Sequence, residues 1–168
     1  MDSELLRVIE QHRDNWPESF DPLLTPFFHT LHRAHGILLG QAFRVMERYG
    51  LSPAEFDVLS SLRRSPFPHE LTPSQLQQSL LITSGGLTKI LQQLQERAFV
   101  TRSTTRTDRR VKPVRLTPAA IPVVEQALQS IRLEVGGWIT NTVSAEEIER
   151  VTQTLGKLTL NPLHGDRE

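Results

Sequence analysis

The sequence predicts a mainly α-helical fold carrying one small β-hairpin, and three observations predict it. Apolar residues recur at helical spacing along most of the chain. Helix starts are signed by hydroxyl caps at Ser52-Pro53-Ala54-Glu55, Thr72-Pro73-Ser74-Gln75 and Ser144-Ala145-Glu146-Glu147. Two short β-compatible runs, Phe99 to Arg102 and Val111 to Leu116, flank a polar, basic tip.

Taken in order, Ser3 to Arg13 sets Leu5, Leu6, Val8, Ile9 and His12 in a helix-compatible pattern that Trp16-Pro17 interrupts. A helix this short cannot bury its apolar side alone, so it is expected to dock on the main body or on a second subunit. Trp16 reads first as a packing anchor and second as a ligand contact. From about Pro26 to Tyr49 a long helix aligns Phe27, Phe28, Leu31, Leu38, Leu39, Ala42, Val45 and Met46, and Gly50 is placed to end it in a left-handed cap. His29, His32 and His35 fall three apart within it, yet the first and third lie about 240° apart around a helix. A metal site needs closer convergence, so these histidines are read as interface or pocket-lining residues, and no metal or cofactor is expected.

The Ser52 capping box opens a helix that buries Phe56, Val58, Leu59 and Leu62 and that Arg63-Arg64-Ser65-Pro66-Phe67-Pro68 stops. The Thr72 box opens a short helix with Leu76 and Leu80 apolar. A few residues later another helix begins, in which Ile82, Leu87, Ile90, Leu91 and Leu94 form the buried stripe. Its other face carries Gly85, Thr88, Lys89, Gln92, Gln93 and Glu96, behind a start at Thr83 and Ser84 that can cap the first turn. Two short helices so joined, the second opening on small and polar residues, form a helix-turn-helix.

In the hairpin, Val114 and Leu116 are expected to alternate toward a core. Pro113, which cannot donate to a ladder, is expected to put its strand at an edge. Beyond the hairpin Thr117-Pro118 caps a long helix reaching about Thr140, with Pro122 expected to kink it or delay its start. The Ser144 box leads a last helix with Ile148, Val151, Leu155 and Leu158 apolar. Apolar helices at both ends point to a dimer interface built from the termini.

Composition narrows the function. At 168 residues, with 38% hydrophobic and 23% charged, the chain fits one compact domain with helical extensions. No apolar run approaches the roughly 18 residues that span a bilayer, and the acidic start MDSELLRVIEQ is not a signal peptide, so a cytoplasmic protein without membrane contact is expected. The absence of cysteine removes disulfides, thiolate metal sites and thiol sensing together. The net charge of zero conceals a dipolar molecule: Lys89 to Arg115 carries net +6, leaving −6 on the rest. One focused basic face points to a polyanionic partner. An enzyme is disfavoured, because Ser84-Gly85-Gly86 lacks the G-x-S-x-G elbow and neither a phosphate-cradling loop nor paired carboxylates appear.

A helix-turn-helix, an arginine-rich hairpin and a long helix in this order resemble the MarR family of winged helix-turn-helix transcriptional regulators. The carrying motifs are YGLSPAEFDVLSSLRRS, LTPSQLQQSLLITSGGLTKILQQLQERAFV and DRRVKPVRLTP, and the resemblance covers roughly residues 26 to 160. Ala120-Ile121-Pro122 departs from the glycine common at that point. The resemblance implies a mainly α fold with a β-hairpin wing between N- and C-terminal dimerisation helices, dividing here as 1–50, 51–117 and 118–168. It implies a homodimer, more often a repressor, on a pseudo-palindromic operator, with half-sites about 34–36 Å apart. Ser84, Gly85, Thr88, Lys89 and Gln92 are the major-groove candidates, and Arg109 is the minor-groove candidate. Arg106, Lys112 and Arg115 suit phosphates, while Arg110 and Asp108 shape the wing tip.

Members of this family commonly bind a small, often aromatic and anionic effector and then release DNA. Trp16, Asp57, Lys89 and Arg102 further resemble the urate-responsive branch, with Lys89 where that branch has arginine. His32 and His35 complete the candidate effector residues, and an aromatic acid or a purine is the implied class. Asp57 has an equal second reading, as a partner of Lys89 or Arg102 that braces the recognition helix. Two other functions stay open: a winged helix that binds only protein, and a metal-responsive regulator using the histidines.

Overall fold

The computed structural model describes residues 2–80, 84–102 and 113–160, with Ser84 described by its backbone. Helix α1 spans Ser3–Asn15, and the Asp2 carboxylate caps it by accepting from the Glu4 amide at 3.1 Å. After a single turn at Pro17–Ser19, α2 runs over Leu24–Arg48. It starts ahead of Pro26 because Asp21 accepts from the amides of Leu23 and Leu24 at 2.8 and 2.7 Å. The proline then sits in the first turn, where no amide partner is required. Gly50, at φ +63°, ends the helix as expected.

Helix α3 (Pro53–Arg64) carries the predicted capping box, Ser52 and Glu55 bonding reciprocally at 3.3 and 2.9 Å. Strand β1 (Glu70–Leu71), α4 (Pro73–Leu80), α5 (Ser84–Glu96), β2 (Val100–Arg102) and β3 (Val114–Leu116) follow. The Thr72 box forms too, with the Gln75 amide donating to Thr72 Oγ1 at 3.2 Å. Then come α6 (Ala120–Ile131), a π-helical turn (Arg132–Gly136), α7 (Gly137–Thr142) and α8 (Ala145–Leu160), the last opened by the Ser144 box.

Two expectations about the sheet need correction. It has a third strand: β1 pairs antiparallel with β3, Glu70 opposite Arg115 and Leu71 opposite Val114. The order is β1-β3-β2, so β3 is central and Pro113 does not mark an edge. Pro113 immediately precedes the strand, where no ladder bond is asked of it. Pro122 does delay its helix, to Ala120, but it occupies the first turn, where its missing amide breaks nothing. The irregularity in that long rod falls later, at the π turn.

The core is shared by the helix-turn-helix, the sheet and α6. Val58, Leu59, Leu62, Leu76 and Leu94 are fully buried, and Val114 and Leu116 alternate into them as their spacing predicts. Each such side chain contributes about 1.5–3 kcal/mol of burial. Polar ties join the helices around this core. Tyr49 and Ser130 share a hydroxyl bond of 2.7 Å between the end of α2 and α6, Arg48 pairs with Glu134, and Arg63 pairs with Glu125 at 2.6 Å. Helix α1 docks on α2 through buried Leu5 and the Asp2–Arg33 pair at 2.9 Å. Helix α8 differs: none of its side chains is buried, and Val151 and Leu158 are more than half exposed. Among the described residues no helix is long and apolar enough to cross a membrane.

Candidate nucleic-acid interface

Helix α5 is held by one face. Leu87, Leu91 and Leu94 recur at helical spacing and are buried, which turns Gly85, Thr88, Lys89, Gln92, Gln93 and Glu96 outward. Gln92 donates to Glu96 one turn on, at 3.1 Å. A Cβ built on Gly85 would meet nothing within 4 Å, so packing inside the protein does not require glycine there. A bare backbone near a helix start lets an anion approach closely. Ile82, Thr83 and the side chain of Ser84 lie outside the described residues.

The hairpin stem is anchored at both sides of β3. Arg115 is half-buried and donates from Nε and Nη2 to the Glu70 carboxylate at 3.1 and 2.9 Å, so its charge is already engaged. Arg102 lies at the outer end of β2 and lines an open cleft with Thr88, Gln92, Gln95 and Glu96. That position beside the polar face of α5 could not be read from spacing. Arg106, Asp108, Arg109, Arg110 and Lys112 lie outside the described residues.

The proposed effector residues do not gather at one point of the chain. Asp57 stands exposed on α3, and its charged neighbour is Arg64, seven residues on and on the same helical face. Desolvation pushes the Asp57 carboxyl above its usual value, with Arg64 opposing in part. Among the described residues no ion pair joins Asp57 to Lys89 or Arg102, which corrects the bracing role expected for it.

Trp16 is 63% exposed and stacks on His12 at 5.8 Å. His12 is a hub that also meets Phe20 and His29 edge-on. Its Nε2 lies 2.7 Å from the Ser19 hydroxyl, which is also 3.0 Å from the Trp16 carbonyl, and its Nδ1 lies 3.3 Å from His29 Nε2, within hydrogen-bond distance. This bond pins α1 to α2, and two histidines on separate helices give no sequence signal for it. His32 and His35 share an open hollow on α2 with Phe28 and Leu31. His32 also lines the crevice between α1 and α2 with Leu5, Val8 and His29. Among the described residues no group of three or more histidines or carboxylates could hold a metal ion.

Residues 49–111, from the end of α2 to just short of β3, match the sequence model of the MarR family. The chain is 29% identical over 157 residues to the HTH-type transcriptional regulator PecS of Dickeya dadantii, covering 92% of each. Among solved structures it is similar to a mutant of MarR from E. coli complexed with operator DNA, with a TM-score of 0.71 at 23% identity over 83% of this chain and 99% of that one. It is also similar to BpsR of Bordetella bronchiseptica, whose DNA binding is regulated by 6-hydroxynicotinic acid; there the TM-score is 0.68 at 20% identity, over 79% of this chain and 98% of that one. At such identities the two structures speak for the fold.

Proposed function

We propose that the chain is a member of the MarR family of winged helix-turn-helix regulators, and that it binds operator DNA as a homodimer, controls transcription and responds to a small molecule. The observation that carries the reading is α5, buried along Leu87, Leu91 and Leu94 and presenting a polar face whose Gly85 has open space around it. The fold and the relatives are those of transcription regulators and not of an enzyme.

In this reading residues 51–117 form the DNA-binding lobe, and residues 1–50 and 118–168 supply dimerisation helices. Ser84, Gly85, Thr88, Lys89 and Gln92 enter the major groove, and Arg109 enters the minor groove from the wing, with Arg106 and Lys112 on the backbone and Arg110 shaping the wing tip. Arg115, paired with Glu70, braces the wing stem instead. The protein acts in the cytoplasm as a repressor. Its effector is an aromatic acid or a purine, met by Trp16, His32 and His35 from the arms and by Asp57, Lys89 and Arg102 from the lobe. Release requires that the ligand favour a dimer whose recognition helices miss the half-site spacing of about 34–36 Å.

An electrophoretic shift of the DNA upstream of the gene, repeated at rising salt, tests the reading. Retardation at low salt that weakens steeply with salt is expected, and no shift at low salt would sink it. Arg109→Ala should weaken the shift on the order of tenfold or more. A panel of aromatic acids and purines should contain a compound that releases the DNA, with Trp16→Ala blunting the response.

A further inference from the structure

Arg97 counts toward the basic segment in the sequence, yet its side chain is turned away from the DNA-reading end of its helix. It follows the last residue of α5, about 20 Å from Ser84 at 1.5 Å per residue. Its Nη1 donates to Glu55 Oε1 at 2.9 Å, on the first turn of α3. The other oxygen of that carboxylate accepts from the amide and the hydroxyl of Ser52, at 2.9 and 2.8 Å, so both oxygens are satisfied. The Glu55 side chain is only 9% exposed and the Arg97 side chain 35%. The guanidinium lies 4.5 Å over the Phe99 ring, and a Cβ added at Gly50 would come within 3.7 Å of its Nη2. The fork is thus held by a buried carboxylate and an aromatic face, beside the turn that joins α2 to α3.

We infer that Glu55 and Arg97 are positioning residues for DNA reading: the pair fixes the C-terminal end of the recognition helix against the α2–α3 junction and so sets the angle at which its N-terminal residues enter the groove. The inference rests on the DNA-binding reading above. Its physical basis is a division of labour within α5. Leu87, Leu91 and Leu94 hold the helix down, but apolar contacts are non-directional and tolerate small rotations and slides. A charge-assisted bond between half-buried partners has a direction, and it acts at the end of the lever farthest from the bases. Selective contacts need that geometry, whereas attraction to phosphates does not.

The test uses the full-length dimer and two probes: a duplex that the wild-type protein enriches from a random library, and a mixed-sequence duplex that it does not enrich. Glu55→Gln keeps the capping box, because glutamine still reaches the N-cap amide, and removes the charge that holds Arg97. Glu55→Gln and Arg97→Gln should each weaken binding of the enriched duplex about tenfold, and the double variant no further, as befits partners in one interaction. Affinity for the mixed-sequence duplex and the slope of log affinity against log salt should match wild type. Arg97 is instead a phosphate contact, and the inference is overturned, if Arg97→Gln weakens both duplexes together and the slope falls by about 0.9. It is equally overturned if either single variant binds the enriched duplex as tightly as wild type. Thermal melts report folding; should Arg97→Gln unfold, Arg97→Met keeps the stem on Phe99, and unchanged selectivity in that variant also overturns the inference. A wild-type protein that enriches no sequence defeats the DNA reading and this inference with it, a result distinguishable from wild-type enrichment that the variants share.

Discussion

Ala98 follows α5 at φ +56°, in a region where a side chain beyond hydrogen is strained. The turn it makes is well bonded, its own amide reaching Gln95 and that of Phe99 reaching Leu94 at 2.9 Å, so the strain is imposed by the fold. Ala98→Gly should therefore stabilise the protein by about 1 kcal/mol, seen as a melting temperature raised by a few degrees. Two neighbouring carboxylates should respond to acid in opposite senses. Burial pushes Glu55 up, but the bonds from Ser52 and Arg97 outweigh it, and its carboxyl sits below the usual range. Its contribution to stability is present above the ordinary glutamate value of about 4.3 and is lost as pH falls through the lower folded value. Asp57 is raised by desolvation, so its ionisation opposes folding at neutral pH, and that opposition vanishes below the ordinary aspartate value of about 3.9. Asp57→Asn should be more stable than wild type in denaturant melts at pH 7, and the gap should close in acid; a gap that persists there would assign the effect to something other than charge.

At the scale of elements, the clamp between β1 and β3 makes a specific demand on Arg115. Arg115→Ala should lower stability by up to about 1 kcal/mol and leave the salt dependence of DNA binding as it was. A slope reduced by about one would return Arg115 to the phosphates. What could be read from the sequence follows the range of the forces involved. The capping boxes at Ser52, Thr72 and Ser144 were legible because their partners lie three residues apart. The stripe of α5 was legible because helical periodicity repeats over several turns. Strand β1 was hidden by being two residues long, and the central place of β3 by depending on that strand. Ala98 looks like an ordinary helix former in sequence, and neither the His12–His29 bond nor the Glu55–Arg97 pair has any local signature. In the site, the outward residues of α5 were readable from their own spacing. The surroundings of Arg102 and Arg115 were not, because those depend on which strand or helix lies alongside.

On the scale of the molecule, one core joins the helix-turn-helix and the sheet to the end of α2 and to α6, while α2 and α8 carry apolar side chains that the described residues leave exposed. Helix α8 leaves Val151, Leu158 and Leu160 in the open, as α2 leaves Phe28. A second copy is the occupant that the dimer reading supplies. Deleting residues 145–168 should then yield a chain that sediments as a monomer and binds its operator about a hundredfold more weakly, since one half-site is left alone. A truncated chain that stays dimeric would move the interface elsewhere. When chains are scarce, the amount of dimer follows the square of their concentration, so halving the protein leaves about a quarter of the DNA-competent form. On the dimer reading, the apolar residues that α8 leaves exposed would thus make operator occupancy report how many copies of the chain a cell holds, before any effector arrives.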